Sequence, residues 1–79
     1  MMIKLYGTTW CGDCARSKAF LEEKGIKYEF IDIDRDVKAM KYVEEVNKGV
    51  KTVPIIVFED GSVLVEPSNE ELGKKLRIK

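Results

Sequence analysis

Apolar and polar residues alternate from the start of the chain. Residues 2–6 (Met-Ile-Lys-Leu-Tyr) keep a period of two and stop at Gly7, which predicts a strand. Residues 12–24 change to helical spacing, with Ala15, Ala19 and Phe20 on one face and Gly25 as the C-terminal stop. Residues 27–33 return to alternation and predict a second strand, with Tyr28, Phe30 and Asp32 on one face. Asp34 or Asp36 is placed to cap a helix over 36–47, in which Val37, Met40, Val43 and Val46 recur at helical spacing. Asn47-Lys48-Gly49 ends it. Residues 54–58 (Pro-Ile-Ile-Val-Phe) are almost continuously apolar and predict a buried strand. Asp60-Gly61 predicts a hairpin with a type I′ turn, and residues 63–66 return as its second strand. Ser68-Asn69-Glu70-Glu71 is a capping box, so a last helix starts near 69, with Leu72 and Leu76 as its apolar stripe.

The predicted order is β-α-β-α-β-β-α. A β-α-β unit implies a right-handed parallel crossover, and the hairpin adds antiparallel strands. The fold class is α/β, a four-stranded mixed sheet with three helices, of the thioredoxin kind.

Composition narrows what such a fold could do. A chain of 79 residues is expected to form a single domain over 1–79 with a thin core. Fourteen basic residues balance fourteen acidic ones, which argues against a nucleic-acid or membrane-surface partner. No apolar run approaches the about 20 residues that span a bilayer, and the first residues are too short and mixed for a signal peptide. The cytoplasm is the expected location, and a monomer the expected state. Histidine is absent, which removes His-based triads and His metal sites. The two cysteines share one four-residue window, whereas a stabilising disulfide framework spreads its cysteines to close long loops.

That window, Trp10-Cys11-Gly12-Asp13-Cys14, lies where the first strand hands over to the first helix. Unpaired N–H groups and the dipole at a helix N-terminus favour an anion, and a thiolate at Cys11 is one. Cys14 follows one helical turn later and can reach the Cys11 sulfur. Cys11 is therefore expected to attack a substrate disulfide, and Cys14 to resolve the mixed disulfide that results. Gly12 leaves room for substrate backbone. Asp13 places a negative charge beside the thiolate, with Arg16 and Lys18 near enough to offset it in part. Two thiols supply half of a zinc site, so a metal or iron–sulfur module would require two copies of the chain. No metal site and no cofactor beyond the Cys11–Cys14 redox pair is expected. Thr52-Val53-Pro54 is the second feature, because a proline entering a buried strand gives up a ladder donor.

These motifs resemble the glutaredoxin family over the whole chain. The likeness rests on Thr8-Thr9-Trp10-Cys11-Gly12, Val46-Asn47 and Gly49, Thr52-Val53-Pro54, Asp60-Gly61-Ser62 and Pro67-Ser68. It is closest to mycoredoxins and related short glutaredoxin-like proteins. The resemblance implies reduction of protein disulfides, or of mixed disulfides with a low-molecular-weight thiol such as mycothiol or glutathione as co-substrate. It implies a cis bond before Pro54 and a bound thiol paired with Val53. Thr8, Trp10 and Lys51 would flank that thiol, and Ser68-Asn69 would hold a carboxylate end. The chain departs from the family at Gly12-Asp13, where Pro-Tyr is usual. It departs again at Glu66-Pro67-Ser68-Asn69, where Gly-Gly-x-Asp is usual. A thioredoxin-like dithiol carrier, recharged by a reductase and serving protein clients, is the alternative, followed by a dimeric metal-binding module.

Overall fold

The computed structural model describes residues 2–50 and 52–77. Its elements are β1 (Ile3–Gly7), α1 (Gly12–Glu23), β2 (Tyr28–Asp32), α2 (Val37–Val46), β3 (Ile55–Val57), β4 (Val63–Val65) and α3 (Asn69–Leu76). They form one sheet in the order β2-β1-β3-β4. β1 runs parallel to β2, with Leu5 opposite Phe30, and antiparallel to β3, with Leu5 opposite Ile56. β3 and β4 are the antiparallel hairpin. The expected fold class is the observed one.

Strand alternation sorts side chains between two layers. Ile3, Leu5, Ile56 and Phe58 face one way and pack with Leu21 of α1 and Leu72 of α3. Ile55 faces the other way and packs with Ile33 and with Ala39 and Val43 of α2. The sheet is thus covered on both faces, which explains the unbroken apolar run of β3. Each fully buried Leu or Ile in these layers contributes roughly 1.5–3 kcal/mol.

The helix caps follow the sequence closely. Asp36 caps α2 by accepting the Ala39 N–H, and Gly49 leaves that helix with φ +91°. The Ser68–Glu71 capping box of α3 is complete in both directions.

Three expectations need correction. The buried face of α1 is Cys14, Ser17 and Leu21, and both alanines are exposed. The small polar Ser17 and the thiol of Cys14 serve as core residues there, which a search for apolar side chains overlooks. In α2, Val37 is 72% exposed, because it opens the helix beyond the edge of the core, and Ala39 takes the buried place beside Val43. The hairpin is not a type I′ turn. Its loop spans three residues between Phe58 and Ser62, and Gly61 is the one that takes positive φ, at +88°. The Phe58 N–H donates to Ser62 O, and the Gly61 N–H to Phe58 O, the arrangement of a three-residue hairpin loop with glycine in the left-handed position.

Candidate active site

The sheet topology places the site. β1 and β2 end at the same edge of the sheet, and β3, running the other way, begins there. The β1–α1 connection therefore emerges between the exit of β2 and the entry of β3. Loops at this edge, outside the carboxyl ends of parallel strands, are where α/β folds bind ligands.

Cys11 is the N-cap of α1, with extended backbone dihedrals of −86° and 121°. Its sulfur accepts the Cys14 N–H at 3.3 Å, the bond that a Ser or Asp cap would normally receive. The Ala15 N–H closes the first helical turn on the Cys11 carbonyl at 3.1 Å. The Cys11 sulfur is partly exposed and lies 4.0 Å from the Val53 carbonyl oxygen. The Cys14 amide and the N-terminal end of α1 thus both meet this sulfur.

Cys14 is fully buried on the inner face of the same helix, and the two cysteines approach to 3.2 Å. Both are free thiols. Burial pushes the Cys14 thiol up to about 12; a hydrogen bond from the Thr8 backbone acts against this, and the adjoining Cys11 adds to it. One thiol meets solvent at a helix end, and the other sits behind it.

Gly7, the last residue of β1, makes room for Cys14. A Cβ on Gly7 would stand 2.6 Å from the Cys14 sulfur and 3.3 Å from its Cβ. The sequence marked Gly7 only as a strand end. Thr8, the next residue, is buried, and its hydroxyl has no partner among the described residues.

Val53 and Pro54 form the other flank. The Val53–Pro54 bond is cis, as the family resemblance implies. Pro54 is buried, and its carbonyl accepts the Glu66 N–H at 2.8 Å. Glu66 holds a left-handed φ of +46°, uncommon for a residue with a side chain, and nothing in the local sequence announces it. This bond draws the Glu66–Pro67 turn, and with it the start of α3, toward the site. Arg16 completes the link: one guanidinium nitrogen donates to Pro67 O at 2.9 Å, and the other to Asp13 at 3.2 Å. The Asp13 charge is thus paired with Arg16. Lys18, expected to help, lies instead over the Phe30 ring, 4.2 Å from its centre.

Trp10 stands beside Cys11 and is 74% exposed. Its indole N–H donates to Asp34 in the β2–α2 turn at 2.9 Å, a partner the sequence did not reveal. Gly12 is exposed, and a Cβ there would have nothing within 4 Å. Thr52 is half-buried near the entry of β3. The expected role of Lys51 falls outside the described residues. Ser68 acts as the α3 cap; its N–H already donates to Glu71 and its hydroxyl accepts from it, while Asn69 is exposed. Of the expected residues, then, Cys11, Cys14, Thr8, Trp10, Asp13, Val53 and Pro54 converge, and Ser68 reaches the site's margin through Pro67 and Arg16.

A concavity of about 340 Å³, lined by Ile3, Phe58, Asp60, Lys75 and Leu76 among others, lies at the far end of the sheet from both cysteines. Among the described residues, no group of three or more His, Cys, Asp and Glu stands where it could hold a metal ion. No helix among them is long and apolar enough to cross a membrane.

A four-stranded mixed sheet, helices on both faces and a dithiol at the first helix N-terminus define the class of thioredoxin-like redox proteins. A single-site variant of the thioredoxin-like protein BC3987 superposes with a TM-score of 0.86 at 27% identity, covering 99% of this chain and 97% of that one. The glutaredoxin family model matches residues 3–63. A protein of Mycobacterium tuberculosis provisionally named a glutaredoxin is 42% identical over 74 residues, 94% of this chain and 88% of that one. Mycoredoxin 1 of Corynebacterium glutamicum is 32% identical over 74 residues, covering 94% and 91%. The chain belongs to the glutaredoxin family. Family and fold together support a thiol–disulfide oxidoreductase.

Proposed function

We propose that this chain reduces disulfides through Cys11, with Cys14 as the resolving thiol. Cys11, as thiolate, attacks one sulfur of a substrate disulfide. A Cys11–substrate disulfide forms, and the other half of the substrate leaves as a thiolate that takes up a proton from water. Cys14 then loses its proton and attacks the Cys11 sulfur. The second substrate thiol leaves, and the Cys11–Cys14 disulfide remains. Two electrons have passed from the dithiol to the substrate, and two equivalents of a small thiol, or a reductase, return them.

The observation that carries this reading is the Cys14 N–H held on the Cys11 sulfur at 3.3 Å, with Cys11 at the helix end and Cys14 enclosed behind it. That arrangement supports attack by the accessible thiol and resolution by the hidden one. The substrate's chain would lie along Val53, with Trp10 opposite and the Glu66–Ser68 turn at one end. Thr8, Gly12, Asp13, Thr52, Lys51 and Asn69 belong to the same proposed surface.

The burial of Cys14 favours a second route. A thiol pushed up to about 12 resolves slowly at neutral pH, so a small thiol such as mycothiol or glutathione could release Cys11 instead. A Cys14→Ser variant separates the two. Retained turnover on a glutathionylated peptide with glutathione or mycothiol as donor establishes the one-thiol route. Loss of turnover with accumulation of the Cys11 adduct establishes the two-thiol route.

A further inference from the structure

The geometry points to Asp34 as a positioning residue for substrate binding, acting through Trp10; this rests on the redox reading above. Trp10 is the chain's single tryptophan, and most of it faces solvent. An exposed indole in a turn has many orientations available, yet this one is fixed at its polar edge by the 2.9 Å bond to Asp34. The anchor is itself well held. The Asp34 N–H donates to the Asp32 carboxylate at 2.9 Å, and the Arg35 N–H to Asp32 O at 3.1 Å. The Ile33 N–H donates to Gly7 O at 3.0 Å, which docks the whole turn on the end of β1. The bond therefore ties the residue next to Cys11 to a rigid turn on the β2 side of the site.

Val53 and Pro54 stand on the β3 side, with the Cys11 sulfur between. Fixed by Asp34, the indole becomes the second wall of a groove whose floor is the nucleophile. An aromatic face held in advance loses little freedom when a chain lies against it. The part of the substrate it meets is the segment flanking the disulfide and not the sulfurs themselves. Asp34 thus sets how tightly a substrate with such a segment binds, and leaves the chemistry at Cys11 untouched.

The test compares Asp34→Ala, Asp34→Asn and Trp10→Phe with wild type on two substrates. One is a glutathionylated peptide, and the other is hydroxyethyl disulfide, which has no chain to touch the ring. Loss of one hydrogen bond of ordinary strength predicts a rise of roughly three- to tenfold in KM for the peptide in Asp34→Ala, with kcat unchanged. KM for hydroxyethyl disulfide stays at the wild-type value. Asp34→Asn retains an acceptor oxygen and restores most of the loss. Trp10→Phe, which keeps a ring but lacks the N–H, shows the same rise, and adding Asp34→Ala to it changes nothing more. Tryptophan fluorescence anisotropy falls in Asp34→Ala. Unchanged peptide KM, equal effects on both substrates, or unaltered anisotropy would overturn the assignment. The fluorescence arm needs no turnover, so a wild-type protein inactive on both substrates would count against the redox reading alone.

Discussion

The Cys14 sulfur rests against Gly7, so closely that any side chain on Gly7 would stand 2.6 Å from it. The Cys14 thiol is thus held from behind by the strand that precedes it and from the front by the helix turn that carries Cys11. Gly7→Ala must push either the helix or the thiol aside. Overpacking of this kind costs about 1–3 kcal/mol. The variant is expected to melt at a lower temperature, and its Cys14 to react faster with a thiol reagent in the Cys11→Ser background. Unchanged Tm and unchanged Cys14 reactivity would contradict the close fit.

Burial of Cys14 also predicts how stability depends on pH. Its folded pKa, about 12, lies above the free thiol value, so between the two the unfolded chain has lost a proton that the folded chain keeps. The stabilisation is complete below about pH 8.5 and is lost as pH rises through the folded pKa, with a slope approaching about 1.4 kcal/mol per pH unit. Tyr28, pushed up to about 12 by partial burial and by its bond to Glu22, adds to the same alkaline loss. Denaturant titrations at pH 8 to 11 should show the decline in wild type, and a shallower one in Cys14→Ala. Parallel slopes in the two proteins would show that Cys14 plays no part.

At the far end of the sheet, Lys75 of α3 donates to Asp60 in the hairpin loop at 2.8 Å. The Lys75 ammonium and the Ser62 hydroxyl and N–H hold the Asp60 carboxyl well below the usual carboxylate range. A depressed carboxylate stabilises the fold above its unfolded pKa of about 4 and loses that contribution as pH falls through its folded value. Asp60→Asn should therefore narrow the difference from wild type as pH drops below 4, and high salt should shrink the difference at neutral pH. A difference that grows on acidification would contradict the sign.

Arg16 joins two segments that carry the site. Arg16→Ala frees Pro67 O and leaves the Asp13 charge without its partner beside Cys11. The Arg16 and Asp13 side chains are both well exposed, so the stability loss is expected to be modest, about 1 kcal/mol. The kinetic effect should be larger for an anionic substrate, such as a glutathione mixed disulfide, than for neutral hydroxyethyl disulfide. Equal losses on both would mean that Arg16 acts only as a strap.

The sequence made the local features legible. The helix caps, the alternation of β1 and the Cys11 position at a helix N-terminus are all set within a few residues, and each matched the structure. The features it hid depend on distant contacts. Trp10 meets Asp34 across 24 positions, and Arg16 meets Pro67 across 51; neither has a local signature. The face of α1 was misread for a related reason. Cys14 is a core residue because the end of β1 at Gly7 rests against it, and Ser17 is buried on the same helix face; neither place follows from an apolar side chain. The hairpin was misread because Asp60-Gly61 suits two loops, and the pairing of Phe58 with Ser62 selects the three-residue one.

Brief treatment of the reduced native protein with iodoacetamide at pH 7, followed by peptide mapping, tests the division of labour between the two thiols most directly. Cys11, partly exposed at the helix end, should carry the label, and enclosed Cys14 should carry none. Cys11→Ser should remain unlabelled and inactive on disulfides. Label on Cys14 ahead of Cys11, or turnover by Cys11→Ser, would contradict the account.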